Sequence, residues 1–171
     1  MNKEKIGHLN LIGDNEEDLK VISAYLQDSV VVMRDIIFLK HNKSFIMMVN
    51  RFMWEDVENG LLRSNKRIRS AVRFEGVIQV KSKNINQKNT NKILEYLAMK
   101  CDSDENGNKK IKIFFSGNNV IILILEAIDV VINDLGKPWN VKSIPKHAFW
   151  LLNYPFILNK TVIKLKRRDF G

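Results

Sequence analysis

Arg67, Arg69 and Arg73 recur at even spacing in the run Arg67-Ile68-Arg69-Ser70-Ala71-Val72-Arg73-Phe74. Successive side chains of a β-strand point to opposite faces, so these three guanidinium groups share one side with Ala71, while Ile68, Ser70, Val72 and Phe74 share the other. Neighbours on one face lie about 6.7 Å apart, and the planar arginine fork binds phosphate or carboxylate through paired hydrogen bonds. The row is a candidate anion-binding face. Arg63, Lys66 and Lys83 flank it, and Lys81 lies on the continuation of the same strand past Gly76. The plainer alternative is a solvated face whose charges pair with acids on a neighbouring strand or helix, as charge rows usually do. A second constellation, Arg51, Trp54 and Glu55, combines a fork donor, an amphipathic aromatic and a carboxylate at the end of a predicted strand. Trp and Arg dominate interaction hot spots. The residues favour a quieter role, with Trp54 sealing the rim of the core and an Arg51–Glu55 pair fixing the strand's exit.

Catalytic chemistry has less to stand on. The histidines are His8, His41 and His147, and no two share a local metal-ligand spacing. Cys101 is the single cysteine; it cannot form an internal disulfide or a thiolate zinc cage, and it reads as a small structural hydrophobe. No phosphate-cradling glycine loop, dinucleotide fingerprint, paired-histidine zinc motif or nucleophile elbow is present. No catalytic residue, metal site or cofactor is expected, and an enzyme remains open only through carboxylates that the fold assembles.

Composition supports a binding role without naming a partner. The 28 Lys+Arg against 19 Asp+Glu give a net charge of +9, which favours anionic partners but says nothing of fold. Lysine supplies 20 of the basic residues, alongside 20 Ile and 19 Asn. AT-rich coding yields such a composition, so the eight arginines are the better reporters of selected contacts. At 171 residues and 45% hydrophobic composition, one domain with a sizeable core is expected over residues 1–147. Residues 148–171 read as an apolar and basic extension, too interrupted for a membrane span, with a weak prospect of touching an anionic membrane surface. No secretory leader is read, so the expected compartment is the cytoplasm.

The elements that must carry these residues follow from pattern. Asp14 as N-cap with Glu17 three residues on predicts a capping box and an amphipathic helix through Gln27. Val30–Met33 and Ile36–Leu39, then a loop at 41–44 and Phe45–Val49, predict a hairpin. The polar stretch 55–65 reads as a loop. Arg67–Phe74 is a strand, bent at Gly76 and continued by Val77, Ile78 and Val80. Residues 93–101 fit a helical turn feeding a strand, or a strand throughout, with the former preferred. Ile111, Ile113 and Phe115, the turn Gly117-Asn118-Asn119 and the apolar run 120–125 predict a second hairpin. Ala127, Ile128, Val131, Ile132 and Leu135 are spaced as on an amphipathic helix, with Gly136 at the C-cap position and Pro138 after it. The expected fold is therefore α+β: a single domain in which an antiparallel β-meander of six or seven strands is packed by a C-terminal amphipathic helix. By analogy this is a pleckstrin-homology-like curved sheet.

The segments Glu17-Asp18-Leu19, Ile22-Ser23-Ala24, Leu26-Gln27-Asp28, Val49-Asn50-Arg51-Phe52, Trp54-Glu55 and Arg67–Phe74 together carry a family resemblance. Further matches are Phe114–Asn119, Leu125-Glu126, Asp134-Leu135-Gly136, Pro138-Trp139, Pro145 and His147. Over roughly residues 8–147 the chain resembles an uncharacterised alphaproteobacterial domain-of-unknown-function family (DUF2948-like). The resemblance implies a small cytoplasmic bacterial protein and carries no activity, cofactor or site residue. The function expected from the residues is a non-enzymatic binding module. It would engage RNA or an acidic protein surface through Arg67, Arg69, Arg73 and Lys81, with Arg51, Trp54 and Glu55 as secondary interaction residues. Homo-oligomerisation is the opposing class, and a small enzyme with fold-assembled carboxylates the third.

Overall fold

The computed structural model describes residues 8–55 and 65–142. The elements run β1 (Asn10–Gly13), α1 (Glu16–Leu26), β2 (Val30–Leu39), β3 (Ser44–Phe52), β4 (Lys66–Phe74), β5 (Val77–Lys83), β6 (Ile93–Ser103), β7 (Lys109–Phe115), β8 (Asn119–Leu125) and β9 (Val130–Asn140). All nine strands belong to one antiparallel sheet of order β1-β9-β4-β3-β2-β6-β7-β8-β5. The described residues are thus mostly β.

The helix is present, with its cap one residue later than the sequence suggests. Asn15 accepts from the Asp18 amide at 2.9 Å, and the Asp18 carboxylate takes the Asn15 side-chain amide at 2.8 Å. Acids at 16, 17 and 18 then face the positive end of the helix dipole. Leu19, Val21, Ile22, Tyr25 and Leu26 are buried, and the helix packs on β6, β1 and β3. The first predicted hairpin is β2–β3, closed by a 3-10 turn at Lys40–Asn42 and by Lys43 in the left-handed region. The second is β7–β8.

Three expectations are corrected. The sheet is not a meander of six or seven strands: it has nine, and β1, β9 and β5 take places that chain order does not give them. Residues 93–101 are strand throughout, as part of β6. The β6–β7 register slips between Tyr96 and Ala98, so Leu94 and Tyr96 point inward before the slip and Met99 after it. That single phase change breaks the period of two and imitates a helical spacing. The predicted C-terminal amphipathic helix at 127–135 is also a strand: Val130–Asn140 is β9, seated between β1 and β4. Three successive β-branched residues, Val130, Val131 and Ile132, favour extended backbone. Two neighbouring strands satisfy its peptide groups, which an isolated helical pattern could not anticipate. Gly136, at φ +71, serves a register shift opposite Arg67–Arg69 instead of a helix cap. With a strand in that place, the likeness to a pleckstrin-homology arrangement loses the element that defined it. Residues 148–171 and most of the 55–65 loop lie outside the described residues.

A short connection shapes the sheet. β4 and β5 are third and ninth in sheet order, yet only Glu75 and Gly76 separate them in the chain. The sheet must therefore curl back on itself. At the junction the Glu75 amide donates to Asp129 O at 2.9 Å, the Glu126 amide to Gly76 O at 3.2 Å, and the Val77 amide to Lys43 O at 2.8 Å. The β4–β9 and β5–β8 ladders are two arms of one ribbon folded at Gly76. Gly76 sits at φ +69 with open space where a Cβ would stand, so its backbone conformation is what calls for glycine. Phe45, Phe74, Leu94, Tyr96, Ile111, Phe115, Leu123 and Ile132 fill the enclosed side with the apolar face of α1.

At Gly13 the helix and sheet approach most closely: an added Cβ would lie 3.0 Å from Ile22 Cδ1, 3.1 Å from Asp18 Cβ and 3.1 Å from Val130 Cγ1. Gly13→Ala should overpack this contact and lower stability by about 1–3 kcal/mol. Urea unfolding followed by circular dichroism measures it, and an unchanged midpoint would contradict the packing described.

Candidate anion-binding faces

The strand β4 sorts its side chains as its alternation requires, with Ile68, Ser70, Val72 and Phe74 inside and Arg67, Arg69, Ala71 and Arg73 outside. The fold brings the three arginines together, but it also supplies each with a partner. Arg67 donates from Nη1 to Asp28 O at 3.0 Å and Asn50 O at 2.9 Å, and its guanidinium lies 5.9 Å from the Phe52 ring centroid. Burial pulls its pKa below the ordinary arginine value, against the opposing pull of Asp28 and Glu95. Arg69 pairs with Asp35 at 2.8 Å and Arg73 with Glu75 at 2.8 Å. Around them stand Ile37, Leu135 and Trp139, all at least 40% exposed.

Arg51, Trp54 and Glu55 lie elsewhere. Arg51 is on the inner face of β3 and fully buried. Its Nε and Nη2 donate to the two oxygens of Asp134 at 2.8 and 2.6 Å, and Nη1 and Nη2 donate to Glu55 at 3.0 and 2.6 Å. Asp134 also accepts from Ser70 Oγ at 2.6 Å and from the Leu9 amide at 2.8 Å. Burial alone would disfavour the Arg51 charge, but the hydrogen bonds to Asp134 and Glu55 outweigh it and raise its pKa. Trp54 is 3% exposed, packs on Phe52 at 4.5 Å between centroids, and donates from Nε1 to Gln27 O at 3.0 Å. The expected Arg51–Glu55 pair is therefore present, inside the protein. The sequence offered no sign of Asp134 as its main partner, because that residue fell on the polar side of the supposed helix.

A second outer face belongs to β6, β7, β8 and β5. Its registers align Lys100, Lys112, Ile122 and Lys81 as one cross-strand row. Ala98, Phe114, Val120 and Lys83 form the next row on one side, and Asp102, Lys110, Ile124 and Gln79 the next on the other. Directly opposed residues share a face about 4.8 Å apart. Half-buried Phe114, Val120, Ile122 and Ile124 form an apolar floor, and lysines stand around it. Lys112 pairs with Asp102 at 3.2 Å. Exposed Lys81, Lys83 and Lys100 have no ion-pair or side-chain hydrogen-bond partner among the described residues. Lys81, grouped with the arginines by sequence, is separated from them by the fold at Gly76. An open groove of about 380 Å³ lies at the Phe114 end, lined by Lys83, Asn84, Leu97, Phe114, Asn118 and Val120 among others. Asn84 and Asn118 sit in the left-handed region and are tied together by a 2.9 Å bond from Asn84 Nδ2 to Asn118 O.

Among the described residues no group of three His, Cys, Asp or Glu side chains could hold a metal ion, and no helix is long and apolar enough to cross a membrane. His8 and His41 are exposed, and burial pushes the Cys101 thiol upward, away from the reactive thiolate. These features define a mostly β, single-sheet protein with two cationic outer faces. The chain belongs to the family described as "Protein of unknown function (DUF2948)", whose model matches residues 9–147. No curated protein and no solved structure matches it.

Removing one side of a buried ion pair strands the other. Arg51→Met should therefore destabilise the protein by about 3–5 kcal/mol, whereas adding Asp134→Leu to that variant should restore part of the loss. Chemical denaturation of the two variants beside the parent decides it; a double variant less stable than the single one would contradict this account.

Proposed function

We propose that the protein is a non-enzymatic binding module for an anionic partner, acting in the cytoplasm. Its binding surface is the lysine-rimmed outer face of β5–β8. The observation that carries this reading is the contrast between the two cationic faces. Arg67 is held by two backbone carbonyls, and Arg69 and Arg73 are each paired with a carboxylate, so an incoming anion meets charge that is already partly neutralised. Lys81, Lys83 and Lys100 are solvated, and an anion needs only to release counterions from around them. Of the residues singled out by sequence, Lys81 belongs to this surface, whereas Arg69 and Arg73 are largely neutralised by Asp35 and Glu75. Arg51, Trp54 and Glu55 support it from within by fixing the strands. A second reading, self-association, draws on exposed Ile37, Leu135 and Trp139 beside the arginines. It predicts a sedimentation coefficient that rises with protein concentration and responds little to salt.

Retention on immobilised heparin, a generic polyanion, tests the first reading. The parent should elute at clearly higher salt than a Lys81→Gln/Lys83→Gln/Lys100→Gln variant, while an Arg69→Gln/Arg73→Gln variant should shift less. Equal elution of the lysine variant and the parent would remove this face from consideration.

A further inference from the structure

We infer that the groove beside Phe114 takes a base of single-stranded nucleic acid, stacked on the Phe114 ring, while Lys83, Lys81 and Lys100 hold the flanking phosphates. This rests on the anionic-partner reading and names the partner's chemistry. A base presents a flat apolar face and a polar edge, and the groove has the same division. Phe114, Leu97 and Val120 form its apolar part, while Asn84, Asn118 and Lys83 form its polar part. The Asn118 side-chain amide has no hydrogen-bond partner among the described residues, which leaves a donor and an acceptor for a base edge. The registers place Phe114 beside Val120 and Val120 beside Lys83, so the ring and that ammonium are two strands apart. Lys112 lies two residues along the ring's own strand, with Lys100 opposite it. An aromatic platform within a lysine field is the arrangement by which proteins hold single strands without reading sequence.

The same geometry argues against other anionic partners. A protein that lies on an anionic membrane buries an outward apolar face about 5–10 Å into the headgroup boundary. Here Phe114, Val120, Ile122 and Ile124 are the half-buried floor, and the lysines project. A duplex keeps its bases stacked inside, so it can meet the lysines but not the ring.

Fluorescence anisotropy with a labelled twelve-nucleotide single-stranded RNA, the same sequence as single-stranded DNA, and the corresponding duplex tests the inference on the full chain. Both single strands should bind more tightly than the duplex. Phe114→Leu, which keeps an apolar side chain in the floor, should weaken single-strand binding roughly tenfold and affect duplex binding and heparin retention less. The triple lysine variant should weaken all three nucleic acids and heparin together. Equal affinity for single strand and duplex, or an unaltered Phe114→Leu variant, would each overturn the single-strand assignment, as would absence of nucleic-acid binding beside binding to vesicles containing anionic lipid in a parallel flotation assay. If heparin retention still depends on the lysines, the wider anionic-partner reading survives those results; if it does not, both fall.

Discussion

The two-residue passage between β4 and β5 is the constraint from which the rest of the architecture follows. Six places in the sheet must be spanned by Glu75 and Gly76, and only a sheet curled about its own core allows this. Curling gives every strand an inner and an outer side, and the alternation along each strand then decides what is enclosed. It also explains why β9 must be extended. Val130 to Asp134 fill the slot between β1 and β4, and the ribbon that turns at Gly76 needs a partner for β4 on that side. A helix there would leave the β4 backbone unpaired on one edge, at a cost that no gain in local propensity could offset.

The fold treats its two kinds of cation in opposite ways. Arginine goes inside or against the sheet, where its planar fork can satisfy several acceptors at once: Arg51 bridges Asp134 and Glu55 and ties β3 to β9 across β4. Such a pair contributes little net stability over an apolar substitute, but either half alone is expensive. Lys81, Lys83 and Lys100, strongly hydrated and borne on flexible stems, stay in water, although Lys112 beside them pairs with Asp102. Side chains already held by carboxylates stiffen a surface, while solvated ammonium groups leave it chemically open. The assignment of function to the β5–β8 face follows from that difference rather than from the number of charges.

Much of the strand pattern was legible in the sequence because burial on one side of a sheet writes itself as alternation. The sorting of 67–74, the β2–β3 and β7–β8 hairpins and the bend at Gly76 all follow from local spacing and turn chemistry. The misread segments are those where alternation is broken or masked. A single slip at Tyr96–Ala98 shifts the phase of β6, and buried Asp134 looks polar, so β9 acquires a false helical stripe. Nothing near Asp134 in the chain reveals that Arg51, 83 residues earlier, will neutralise it.

The proposed binding face was harder to see for a related reason. A row of arginines on one strand is visible in one dimension, and for that reason it drew attention. Lys81, Lys83, Lys100, Lys112 and Phe114 come from three strands and reach each other only through registers that pairing sets. Lys81 and Lys83, like Lys112 and Phe114, keep the strand spacing of two, but no spacing in the chain links one strand's residues to the next's. Where a strand continues past a glycine at positive φ, residues on its two sides need not share a surface. Grouping Lys81 with Arg73 treated the bend at Gly76 as a kink within one surface, whereas the fold there assigns Lys81 to a face whose other charges sequence spacing could not collect.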